Sequence, residues 1–300
     1  MASTGYDATD NATALVPPSS RGLDYTAELT QGSLKGMRFG LLEGFMNMTN
    51  SSETTPVNEA IANVTSRLQR AGATIVLIKD SFYNATALAT FDTQRYEYRE
   101  EMDVYLQRSR LQGQHPQTLR ELYNSSKFLV IPSQYEYVTT ALISSTGNQT
   151  WGSHLSYSDV QRGIANLTLT LRSTFAANKL DAMIYPEQKN LVVPIGSPSQ
   201  SGRNGILAAL TGNPVVTIPV GFSPTTATAP EGLPIGMEIL GLPWSEGMLL
   251  QTAYQIEQLS RERKTPAWAK QVVETQMYQE VPVVKPNNGN IPPQYPIGVL

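Results

Sequence analysis

The stretch from residue 36 to residue 78 constrains the fold more than any other part of this chain. Gly36-Met37-Arg38-Phe39-Gly40-Leu41-Leu42 reads as a short buried strand. A Ser/Thr/Asn loop follows. Thr55-Pro56 then opens a helix, with Thr55 as its N-cap and Pro56 in the first turn. Val57, Ile61, Val64 and Leu68 are spaced to fall on one helical face. Gly72 closes the helix, and Ala73 to Ile78 is a second apolar strand. Strand, helix and strand at this spacing predict two parallel strands joined by a right-handed crossover, and therefore an α/β domain.

The rest of the chain extends that pattern. Residues 87–178 read as mostly helical: a long amphipathic stretch around Tyr96, Tyr98, Met102, Tyr105 and Leu106, a break at 113–116, a short helix through Leu119 and Leu122, and a helix over roughly 157–177. The tyrosines are read as packing residues. Glu97, Glu100, Glu101 and Asp103 are read as a solvated helix face. Strand character returns at 181–186, a short helix runs through Ile206, Leu207 and Leu210, and 215–220 and 235–240 are partner strands, with Pro219 at an end or an edge. A last helix has Ser245 as N-cap, Glu246 in its first turn, and Arg261, Arg263 and Lys264 at its end, as the helix dipole favours. The expected class is α/β, a mixed β-sheet flanked by helices. It forms a single domain over 1–268, followed by a Pro/Asn-rich tail over 269–300.

Composition removes several chemistries. There is no Cys, so disulfides, thiol nucleophiles and iron–sulfur sites are excluded, and only two histidines occur, His115 and His154. They cannot alone make a three-His metal site, and neither a metal nor a cofactor is expected. Lysine and arginine total 22 against 25 acidic residues, and the basic ones do not mass into runs. A nucleic-acid partner is not expected, because nothing supplies the field that displaces phosphate counterions. No apolar run reaches the length of a membrane span. The Gly-x-Ser-x-Gly elbow, the phosphate-binding Gly-x-x-x-x-Gly-Lys-[Ser/Thr] and Gly-x-Gly-x-x-Gly are all missing.

Only 16% of residues are charged, against about 25% in an ordinary domain, and uncharged polar residues are plentiful. Eight Asn-x-[Ser/Thr] acceptors occur, at Asn11, Asn47, Asn50, Asn63, Asn84, Asn124, Asn148 and Asn166, against about three by chance. They point to descent from a glycosylated secretory protein. The opening residues, Met-Ala-Ser-Thr-Gly-Tyr-Asp, have neither a basic nor an apolar region, so no signal peptide is expected there.

Three pieces in order carry a resemblance. They are Asp181-Ala182-Met183-Ile184-Tyr185-Pro186, then residues 207–222 (Leu-Ala-Ala-Leu-Thr-Gly-Asn-Pro-Val-Val-Thr-Ile-Pro-Val-Gly-Phe), then 232–241 (Gly-Leu-Pro-Ile-Gly-Met-Glu-Ile-Leu-Gly) with Leu249-Leu250 beyond. Together they resemble the C-terminal end of the amidase signature family, with a sequon-rich style similar to fungal members. Gly5 to Asp10, Asp24-Tyr25 and Leu34 to Gly40 resemble the family's segment just downstream of its catalytic core. The resemblance implies amide-bond hydrolysis through a Ser nucleophile, a bridging Ser and a Lys base, needing no His and no metal. The motifs carrying those three groups precede the part this chain resembles, so no catalytic residue is assigned to it.

Two local look-alikes are set aside. Lys79-Asp80 resembles the family's Lys-Asp element but follows the second strand of the crossover unit, where a surface lysine is the better reading. The loop 196–202 is Ser-rich, but Pro198 and Gln200 stand where glycines would expose oxyanion amides. The resemblance also nominates Asn204, Ile206, Leu207 and Thr211 as substrate-binding residues, for a small-molecule amide. The expectation is an incomplete fold: the C-terminal portion of an amide hydrolase, inactive alone, with an unpaired sheet edge that promotes self-association. The alternatives are a non-catalytic binding or complementing module, and a self-contained hydrolase using Lys79.

Overall fold

A computed structural model of the chain describes residues 6–7, 10–27, 29–108, 111–124, 139–147, 154–194, 197, 200 and 202–266. The tail expected over 269–300 lies outside the described residues, as do most of the loop 196–202, Asn148 and the side chain of Asn11.

The crossover unit forms as its pattern dictates. Strand β1 (Arg38–Leu42) and strand β2 (Thr74–Ile78) pair in parallel, Arg38 opposite Thr74 and Leu42 opposite Ile78, with helix α1 (Thr55–Arg70) between them. Val57, Ile61, Val64 and Leu68 are all at most 2% exposed and pack on Phe39 of β1. The helix begins one residue earlier than its Thr-Pro signal suggests. Thr54 is the N-cap, and its hydroxyl donates to the Thr49 carbonyl instead of capping the helix. Pro56 has removed one of the amide donors a cap would take. Gly72 turns the chain into β2 at φ 92° and accepts from the Gly36 amide, which locks the start of one strand to the start of the other.

Helices α2 (Ala85–Leu88), α3 (Gln94–Leu106), α4 (Leu119–Asn124) and α5 (Tyr157–Asn178) fill the expected helical region. Of the α3 tyrosines, Tyr96 is buried against Tyr157, whereas Tyr105 is exposed. The acidic stretch is not simply a solvated face. Glu97 accepts from the Tyr157 hydroxyl at 2.7 Å, Glu100 from Thr146, and Asp103 from the Leu119 amide at 2.7 Å. Sequence spacing hides this, because the partners come from segments that α3 meets only in the folded chain.

Strand β3 (Ala182–Pro186) is buried throughout and sits at the sheet's centre. It pairs in parallel with β1 and antiparallel with β5 (Pro234–Leu240). β5 in turn pairs antiparallel with β4 (Val215–Phe222), and the order is β2-β1-β3-β5-β4. β4 is an edge, and the register slips by a bulge between Pro219 and Gly221, where proline's missing donor costs no ladder bond. Helices α1 and α7 (Glu246–Ser260) cover one face through Leu249, Ala253 and Ile256; α2, α5 and α6 (Ile206–Thr211) cover the other through Leu88, Leu167, Leu171, Phe175 and Leu207. Ser245 stands at the N-cap of α7, but its hydroxyl donates backwards to the Leu242 carbonyl. Arg261 ends the helix at φ 52°, so Arg261, Arg263 and Lys264 fall beyond its last turn.

Candidate functional site

Both central strands carry one polar side chain where alternation demands an apolar one. Tyr185 on β3 and Glu238 on β5 lie directly opposite each other in the antiparallel pair, on the face that also carries Met183 and Leu240. Tyr185 is fully buried and Glu238 is 6% exposed. Neither Tyr185 Oη nor Glu238 Oε2 has a hydrogen-bond partner in good geometry, although the groups lie close enough to shift each other's proton affinity. Burial pushes the Tyr185 phenol well above its ordinary value, and the Glu238 charge adds to that. Burial also raises the Glu238 carboxyl, with the Glu187 charge acting in the same direction and the Tyr185 hydroxyl opposing it.

The chain leaving β3 builds the rest. The Glu187 amide donates to Gly236 on β5, its carbonyl accepts from the Asn204 amide at 2.9 Å, and the Lys189 amide donates to Gly202 at 2.8 Å. Residues 187–189 are thereby laced to 202–204. Asn204 is fully buried, and its side-chain amide donates to the carbonyls of Phe45 and Pro186, both at 2.8 Å. Only an NH2 group can serve two carbonyls in this way, so Oδ1 points elsewhere, and it is buried without a partner.

A cleft of about 740 Å³ opens beside this lacing, at the carboxyl end of β3, which is where α/β sheets place ligands. Glu187, Lys189, Arg203, Gly205 and Ile206 line one side, and Ala85 and Gln94 contribute from α2 and α3. Burial lowers the Lys189 ammonium below its usual range. Among the described residues, none of Glu187, Lys189, Arg203 and Glu238 makes an ion pair within 4 Å.

Of the four residues nominated from the sequence, Ile206 lines the cleft and Asn204 sits buried behind its wall. Leu207 is fully buried beneath α6, and the Thr211 hydroxyl donates to the Leu207 carbonyl in the helix's last turn. Lys79 lies apart. It is exposed, 3.6 Å from Glu43 Oε1, on the rim of a second cleft with Ser173 and Thr174. Among the described residues no lysine ammonium hydrogen-bonds a serine hydroxyl, and no group of three His, Cys, Asp or Glu side chains could hold a metal ion. The sequence reading passed over Glu187, Lys189, Arg203 and the Tyr185–Glu238 pair. Glu238 did carry a signal, as a charged residue in the middle of an apolar strand.

The Glu238 shift fixes the sign of a pH effect. Its folded-state proton affinity is raised above the unfolded value, so its favourable contribution is complete below the unfolded pKa. That contribution is lost as pH rises through the folded one. The melting temperature of the chain should therefore fall relative to Glu238→Gln as pH rises above about 4.5. Parallel curves for the two proteins across that range would contradict it.

Comparison with known proteins follows the same lines. The Amidase family model matches residues 2–250. A glutamyl-tRNA(Gln) amidotransferase chain from Acinetobacter baumannii is 26% identical over 275 residues, covering 85% of this chain and 50% of the relative. The structure of peptide amidase from Stenotrophomonas maltophilia superposes with a TM-score of 0.62 at 25% identity, covering 87% of this chain and 50% of that one. An amidase family protein from Bacillus anthracis shares the fold, with a TM-score of 0.60 at 20% identity over 87% and 46% of the two chains. The chain thus spans about half the length of the relatives it matches. These relatives are bacterial, so they support membership of the family broadly and not specifically of a fungal-type branch.

Proposed function

The chain belongs to the amidase family, and from that premise we propose that it is the C-terminal, pocket-forming portion of an amide-bond hydrolase. In this reading the nucleophilic Ser, the bridging Ser and the Lys base come from another segment. The carrying observation is the pairing of two facts. The match covers half of each relative, and the cleft at the carboxyl end of β3 offers charged and polar walls without a hydrogen-bonded Lys–Ser couple among the described residues. The chain supplies the sheet, the outer helices and one wall of the acyl pocket. Asn204 holds that wall in place, and Ile206 meets a small-molecule amide.

Two further features accompany the reading. The sheet has open edges at β2 and β4, and Leu77 on β2 is 46% exposed, which favours association with a second copy or with the complementary half. Asn50, Asn63, Asn84, Asn124 and Asn166 are exposed and Asn47 half-buried, so these acceptors are open to glycosylation in a secretory setting. No helix among the described residues is long and apolar enough to cross a membrane.

The test is co-expression with a separate segment bearing the family's Lys-Asp element and its two catalytic serines. Co-purification with restored amide hydrolysis is expected. Stable association without turnover would favour a non-catalytic binding module, and no association would sink complementation.

A further inference from the structure

We propose that the cleft seats a primary ammonium group of its ligand on Glu238 and Glu187, above Gly205. Gly205 carries the argument. Its φ of −64° is one that any residue adopts, so the backbone does not require glycine there. What the missing side chain leaves is space beside two carboxylates. An atom one bond out from its Cα would lie 3.4 Å from Glu238 Oε1 and 4.0 Å from Glu187 Oε1. Gly205 and Glu187 both line the cleft, so this space is continuous with it.

Residues next to Gly205 in the chain or paired with Glu238 across the sheet carry buried polar atoms that are incompletely partnered. Glu238 Oε2 and Tyr185 Oη are buried and meet only each other, without good hydrogen-bond geometry, and Asn204 Oδ1 is buried without a partner, its own donors committed to Phe45 and Pro186. Buried polar atoms left unpaired cost free energy that a donor-bearing ligand recovers. Lys189 and Arg203 share the cleft, yet neither lies within 4 Å of a carboxylate among the described residues, so neither acid is held in a direct ion pair there. A carboxylate on the cleft wall, Glu187, with a second, Glu238, buried behind Gly205, fits a group with several N–H donors and a positive charge. An alcohol of the same shape brings one donor and no charge.

This assignment does not rest on amide hydrolysis, and its test reads binding alone. The full chain is titrated by ligand-observed NMR with n-butylamine and with n-butanol at about pH 8, where an aliphatic amine is still protonated. The amine should bind at least about tenfold more tightly than the alcohol, and Glu238→Gln and Gly205→Val should each weaken the amine by about tenfold or more. Equal binding of amine and alcohol overturns the proposal, as does amine binding unchanged in both variants. Should a variant lose its cooperative melt, the amine–alcohol contrast on the unsubstituted chain decides the matter.

Discussion

A serine-directed fluorophosphonate is expected to leave the purified chain unlabelled under conditions that label a complete amidase within minutes. A serine hydroxyl at its ordinary pKa is a poor nucleophile and needs a base in hydrogen-bond contact. Losing such a set costs about 10⁶ in turnover where it has been dissected. The two lysines that invite suspicion do not supply that contact. Lys79 is solvated beside Glu43, at the end of β2. Lys189 is drawn towards its neutral form by burial, which suits a base, but it hydrogen-bonds no serine among the described residues. Stoichiometric labelling would overturn the proposed division of labour, and Lys189→Met would then show whether this lysine is the base.

The second large effect concerns Asn204. Replacing it with alanine should lower stability by about 2–4 kcal/mol, because the Phe45 and Pro186 carbonyls lose their donor in a buried site. A residue serving only to touch substrate would leave the denaturation midpoint where it was, so urea unfolding separates the two roles. Asn204→Asp should be nearly as damaging, since a carboxylate turns an acceptor towards each carbonyl. An unchanged midpoint in both variants would show that the Asn204 amide bonds to Phe45, just beyond β1, and to Pro186 on β3 do not hold the cleft wall.

The Asn204 case shows how far the sequence carried and where it stopped. Its nomination came from position in a family-like segment, and that placed it beside the cleft. What the residue does there depends on Phe45, 159 positions earlier, and Pro186, 18 positions earlier. The same separation explains the acidic stretch on α3. Its carboxylates read as solvent-facing by local spacing, and Tyr157, Thr146 and Leu119 claim them only once the chain is folded.

The sequence by itself determined the crossover unit, the buried face of α1, the existence of α5, the strands near 181–186 and 235–240, and the family to which they belong. Each depends on periodicity or on short ordered motifs, which are properties of neighbouring residues. Only the tertiary structure decided that Tyr185 and Glu238 meet across β3 and β5. It also brought residues 187–189 against 202–205 to form one wall of a cleft, and left Lys79 on a different edge. Those outcomes follow from strand order and register. A one-residue slip would turn Glu238 to the other face of the sheet, and no local pattern records which strand will lie beside it.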